Sequence, residues 1–109
     1  MSGKEYLQQI KKIDTQIKNK NVEQEQSRKL GLDVSVIEIQ KKRLAEKRQE
    51  IIKTIERLPE AEYDVLHKVY VQYKTLQEVA ADRDICRRLV DSIHGSALKR
   101  LESIINASE

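Results

Sequence analysis

Cys86, His67 and His94 are the side chains in this chain best suited to nucleophilic or general-base chemistry at neutral pH. Cys86 and His94 stand eight residues apart, which on one helix is about two turns and roughly 12 Å, too far for joint use as nucleophile and base. His67 lies far from both in sequence. Cys86 is the only cysteine, so an internal disulfide and a cysteine-rich metal site are excluded, and a helix-cap or half-buried thiol is its expected role. No Gly-rich phosphate loop, H-E-x-x-H or G-x-S-x-G occurs. The expectation is a protein that is not an enzyme and carries no catalytic residue, cofactor or metal.

The stretch Thr75 to Ile104, "TLQEVAADRDICRRLVDSIHGSALKRLESI", is chemically denser. Its two short apolar-periodic runs, separated by polar residues, read as a helix-turn-helix. Across residues 83–100, Arg83, Arg87, Arg88, Lys99 and Arg100 meet only Asp84 and Asp91 as acids, which makes the local surface basic. Its surroundings are not: residues 58–109 carry 7 Lys and Arg against 9 Asp and Glu, whereas residues 1–57 carry 14 against 9. The surplus positive charge therefore lies in the first half.

Two helical units must position that stretch. From Lys4 to about Leu30 there is neither Pro nor Gly, and Tyr6, Ile10, Ile13 and Ile17 fall at spacings of 4, 3 and 4, one helical stripe. Gly31 suits the left-handed end of that helix, and Asp33 or Ser35 suits the cap of the next. A second helix runs to about Leu58, with Ile37, Leu44, Ile51, Ile55 and Leu58 on its stripe and Lys41 and Arg48 interrupting it. Folding back about Leu32 sets Tyr6 opposite Leu58, Ile10 opposite Ile55, Ile13 opposite Ile51 and Leu30 opposite Val34, with Ile17, Lys20 and Gln24 facing Arg48, Leu44 and Lys41. Tyr6, Ile10, Ile13, Ile17, Leu44, Ile51, Ile55 and Leu58 form the expected hairpin interface. Its seam is sealed at the base and polar in the middle, where a second copy or another protein could complete the packing.

Beyond Pro59, a first-turn proline, "LPEAEYDVLHKVYVQYK" reads as one helix with Leu66, Val69, Tyr70 and Tyr73 on its apolar side; Tyr63, Tyr70 and Tyr73 are expected in the core. Thr75 and Glu78 complete a capping box, and Leu76, Val79 and Ala80 supply a short buried face. The last helix places Leu89 or Val90, then Ile93, Ala97, Leu101 and Ile104, inward. The expected fold is all-α: residues 1–58 form an antiparallel, coiled-coil-like helical hairpin, and residues 59–109 form a three-helix helix-turn-helix unit.

Composition agrees with that plan. The 109 residues suffice for one compact domain or a small domain plus an extended helical part, and 36% charged against 4% aromatic residues favours long solvated helices over an enzyme with a buried pocket. No apolar run approaches the roughly 20 residues that span a bilayer, and "MSGKEYLQQI" lacks the apolar stretch of a signal peptide. The expected location is the cytosol, with no membrane partner.

"YLQQIKKIDTQIKNK", "LPEAEYDVLHKVYV", "KTLQEVA" and "LVDSIHGSALKRLE", in this order and spacing, resemble the small late-gene transcription regulators of phages of Gram-positive bacteria, the ArpU and RinA sort, and residues 58–101 resemble the fourth conserved region of bacterial sigma factors. The likeness covers nearly the whole chain except residues 27–40, where the connection is shorter than usual. It implies a regulator in the cytoplasm of a bacterial host that binds double-stranded promoter DNA, with RNA polymerase, a related phage regulator or a second copy as protein partner. A relative that keeps the regulator fold but binds and inhibits a phage activator is the alternative. It further implies that the recognition helix begins near Cys86 and faces the bases with Arg87, Arg88, Asp91 and Ser92, and with Gly95 at the end of that face. Arg can bond guanine O6 and N7 together, Asp can accept from cytosine N4 and Ser can serve either role. Lys74, Arg83, Lys99 and Arg100 are the implied phosphate contacts. The chain departs from the family at Asp84, where Gly is usual in the turn, and at Cys86, where Ser is usual at the helix start.

Overall fold

The computed structural model describes residues 1–107, and every regular element among them is helical. α1 (Gly3–Lys29) starts where the Ser2 hydroxyl accepts the Glu5 amide at 3.1 Å, satisfying one of the donors that a helix start leaves open. The chain leaves α1 through Gly31 at φ 70°, with the Leu32 amide bonded back to the Ser27 carbonyl at 2.8 Å, a turn that glycine makes without a Cβ clash. α2 (Ser35–Ile55) then runs back along α1. Val34 occupies its cap position without a side-chain bond, and the Asp33 carboxylate accepts both the Ser35 amide, at 2.9 Å, and the Ser35 hydroxyl, at 2.6 Å. α2 stops at Ile55, short of Leu58.

The seam between α1 and α2 changes character along its length. Near the open end Ile10 and Ile55 are fully buried, Ile13 and Ile51 nearly so, and Leu58 lies among them, with Tyr6, Ile17 and Leu44 packed half-buried against the cluster. The Tyr6 hydroxyl donates to Thr54 Oγ1 at 3.0 Å. Arg48 meets Asp14 across the seam through Nε at 2.7 Å. Towards the turn Ile37 is still buried, but polar groups join the seam: buried Gln24 accepts from Lys41 Nζ at 2.9 Å and donates to Glu38 at 3.3 Å. The pairing of one polar group with another is what allows a glutamine there, since an unpartnered buried amide would cost about 1–3 kcal/mol.

Residues 59–74 are not the single helix that their periodicity predicts. α3 (Glu60–Leu66) follows Pro59 and continues into a π-helical turn, His67–Val71, closed by the Gln72 amide on the His67 carbonyl at 3.0 Å. The wider turn exhausts itself at Tyr73, whose φ is 60°. Tyr73 is therefore not a core residue. It is half-exposed, and its hydroxyl donates to Asp14, while Tyr63 and Tyr70 do pack against the main core. α4 (Leu76–Arg83) opens on the Thr75–Glu78 capping box, both bonds at 3.1 Å, and ends at Asp84 in the left-handed conformation, φ 54°. α5 (Arg87–Ala107) completes the fold; Val90 faces inward and Leu89 is exposed, so the inward choice between the two falls on Val90.

Two buried clusters result. Val65, Val79, Ala80 and Val90 join α3, α4 and α5 into the helix-turn-helix core. The larger cluster takes Leu7, Ile10, Ile13, Ile51, Ile55 and Leu58 from the hairpin and Leu66, Ala97 and Leu101 from beyond it, so one core spans both sides of residue 58. α1 approaches α5 closely enough that a Cβ on Gly3 would stand 2.5 Å from the Leu98 carbonyl oxygen. The molecule measures 54 × 34 × 18 Å, long because the 27-residue α1 alone extends about 40 Å.

Candidate nucleic-acid interface

α4, the turn at Asp84 and α5 hold the candidate side chains, and local chemistry explains why the chain turns there. The Ile85 amide returns to the Ala80 carbonyl at 3.1 Å and the Asp84 amide to Ala81 at 3.2 Å, the double closure of a helix that ends in a left-handed residue. The Cys86 carbonyl accepts the Leu89 and Val90 amides, which starts α5; the thiol itself is exposed. Ala80, buried against Val90 in one cluster, keeps α4 and α5 close.

Among the four base-facing candidates, all exposed, the structure draws a distinction. Arg87 Nε is bonded to Asp91 Oδ1 at 2.8 Å one turn along the same helix, each side chain about half exposed. Arg88 and Ser92 have no side-chain partner among the described residues. With 100° per residue, Arg88, Ser92 and Lys99 fall on one outward stripe, about 6 Å and then about 10 Å apart along the axis. Gly95 lies beside that stripe, and a Cβ there would meet nothing.

The four phosphate candidates divide as well. Lys99 has no acidic partner among the described residues and lines an open groove of about 400 Å³ with Ser96, Arg100 and Ser103. Lys74 Nζ sits 2.6 Å from Asp82, a hydrogen bond that pushes the ammonium up and the carboxyl down from their ordinary values. Arg83 bonds Asp64 at 2.7 Å and Glu60 at 3.5 Å. Burial pulls the Asp64 carboxyl up, but hydrogen bonds from Arg83 and Lys68 outweigh it and leave Asp64 below the usual carboxylate range. Arg100 Nε contacts both oxygens of buried Glu62, at 2.8 and 3.1 Å. Lys74, Arg83 and Arg100 thus tie elements of the fold together.

Two arrangements here are absent from the sequence pattern. Tyr70 and His94 stack, centroids 5.8 Å apart, with the hydroxyl 3.0 Å from Nε2. Burial holds the His94 ring below its ordinary pKa; Asp91 opposes this and the Lys4 ammonium adds to it. Asp14 receives both Arg48 and the Tyr73 hydroxyl, and burial first, then that bond, pushes Tyr73 up to about 12. Spacing within single elements gave no sign of these contacts, which join residues 24 to 59 positions apart.

What the arrangement offers chemically is a helix presented by a rigid turn, with an unpaired guanidinium, a hydroxyl and an ammonium along its exposed side. Among the described residues no group of three His, Cys, Asp or Glu could hold a metal ion, and no helix is long and apolar enough to cross a membrane. Comparison with protein families matches residues 54–102 to the family described as Sigma-70, region 4, so this part of the chain is a sigma region 4-like helix-turn-helix. No curated protein and no solved structure matches the chain.

Proposed function

We propose, taking the sigma region 4-like helix-turn-helix as premise, that the chain is a transcription regulator of phage or phage-island origin that binds promoter DNA with α5 in the major groove. The observation that carries this reading is the open stripe of Arg88, Ser92 and Lys99 on a helix set by a capping box and a left-handed turn. Arg88 is assigned to a guanine edge, Ser92 to the adjacent base and Lys99 to a phosphate. Arg87 and Asp91 form the flank of that surface, while Lys74, Arg83 and Arg100 hold the helices in position and meet phosphate only where DNA displaces an acid.

The test is a titration of labelled phage late-promoter DNA at low and moderate salt. Site-preferring binding that weakens steeply with salt is expected, and Arg88→Ala should cost about 1–3 kcal/mol at the preferred site with relaxed specificity. Binding that shows no site preference at either salt overturns the reading.

A second reading has its own observation: Leu30, Leu32, Val36 and Ile39 are all more than half exposed around the hairpin turn. Such a surface supports a protein-interaction role, with RNA polymerase, a related phage regulator that it would inhibit, or a second copy as partner. A salt-resistant protein complex combined with no DNA affinity would favour it.

A further inference from the structure

The cations of this protein are distributed in an unexpected way once their partners are counted. Beyond residue 58, Lys68, Lys74, Arg83, Arg87 and Arg100 are all ion-paired within the chain, which leaves Arg88 and Lys99. A surface with two open cations is thin for a duplex, whose affinity comes largely from phosphates neutralised by Lys and Arg. The hairpin is the opposite case. Lys4, Lys11 and Lys18 are exposed, and their ammonium groups make no ion pair or hydrogen bond among the described residues.

Their spacing is seven residues, so all three lie on one side of α1, about 10 Å apart and about 21 Å end to end. Gln8 and Thr15, both exposed, fill the same side between them. Shallow grooves run along it, one of about 530 Å³ that Gln8, Lys11 and Thr15 help to line, the next of about 270 Å³ lined by Lys11, Asp14, Thr15, Lys18 and Tyr73, where the Asp14 carboxylate is already held by Arg48 and Tyr73. The row begins beside α5: one residue before Lys4, a Cβ on Gly3 would stand 2.5 Å from the Leu98 carbonyl oxygen.

We propose that Lys4, Lys11 and Lys18 form a second contact surface for the DNA backbone, continuing from α5 along α1, so that the hairpin supplies phosphate contacts that the helix-turn-helix has spent on its own acids. This rests on the DNA-binding reading above. The contacts are sequence-independent: an ammonium on a long stem meets a phosphate as a point charge and reads no base.

The experiment compares the full chain with Lys4→Gln/Lys11→Gln/Lys18→Gln, and with Lys42→Gln/Lys47→Gln/Lys53→Gln, three exposed lysines of α2 that carry the same charge change. Each is titrated with promoter duplex and with random-sequence duplex of equal length over a range of salt, after circular dichroism shows equal helicity. The α1 variant should lower the slope of log K against log salt by about 2 to 3, near 0.9 for each lost phosphate, equally on both duplexes and with the ratio between them kept. The α2 variant should leave the slope close to the parent's. An unchanged slope in the α1 variant, or an equal loss in the α2 variant, overturns the proposal. These failures are separable from failure of the DNA-reading assignment: loss of site preference with an intact α1 effect removes only the latter, and an Arg88-dependent site preference without the α1 effect removes only the former. Binding of poly-glutamate through these lysines with neither duplex bound overturns the DNA assignment and makes the row a docking face for an acidic protein.

Discussion

Arg87 and Arg88 are chemical equals in the sequence and unequal in the structure. Periodicity puts both outward on α5, but only Arg87 has an acid four residues on, Asp91, and the two are paired. What the sequence could not show is how many other cations were already taken, because Arg83–Asp64, Lys74–Asp82 and Arg100–Glu62 join residues 8 to 38 positions apart. Turn chemistry was more legible. Asp84 tolerates φ 54° as its residue type allows, at a cost that glycine would avoid. Asp84→Gly should raise stability by about 0.5–1 kcal/mol in urea unfolding, and a loss would mean that the Asp84 side chain makes a contact beyond its backbone role. Tyr73 was misread for the same kind of reason in reverse: a bulky residue at φ 60° is rare, so its place at the end of the π-helical turn had no signal in its neighbours.

At the scale of elements, α3 is the piece that collects the others. Asp64 takes Lys68 from the π-helical turn and Arg83 from α4, and Glu62 takes Arg100 from α5. Because the Asp64 carboxyl titrates below its ordinary 3.8 when folded, its ion pairs stabilise the fold fully above that pH and are lost as pH falls through the lower folded value. Asp64→Asn should therefore cost about 1–2 kcal/mol at pH 7, with the gap to the parent closing below pH of about 4. A gap that persists in acid would mean the asparagine disturbs packing rather than charge. The capping box of α4 and the inward faces of α4 and α5 were readable from spacing alone, since local hydrogen bonds and 3.6-residue periodicity determine them. The π-helical turn was not, because the apolar spacing of residues 59–74 fits an uninterrupted α-helix and does not mark where a wider turn begins.

For the whole molecule, the antiparallel hairpin was legible through its apolar stripes, and the residues at its base do meet in one cluster. The docking of that hairpin on α5 was not, since Gly3 offers no apolar side chain and acts through what it lacks. Gly3→Ala should lower stability by about 1–3 kcal/mol in chemical denaturation, because two backbones must separate to admit one methyl group. No change would show that α1 can shift along α5 freely. The hairpin seam, finally, has most of its apolar contacts at the base, and Ile37 with the Gln24–Lys41–Glu38 hydrogen bonds towards the turn. Water can replace those polar bonds at small net cost but cannot replace the contacts of Ile10, Ile13, Ile51 and Ile55. The turn end of the hairpin, with fewer apolar contacts than the base, is therefore expected to open at a lower free energy, which amide hydrogen exchange along α1 and α2 would read.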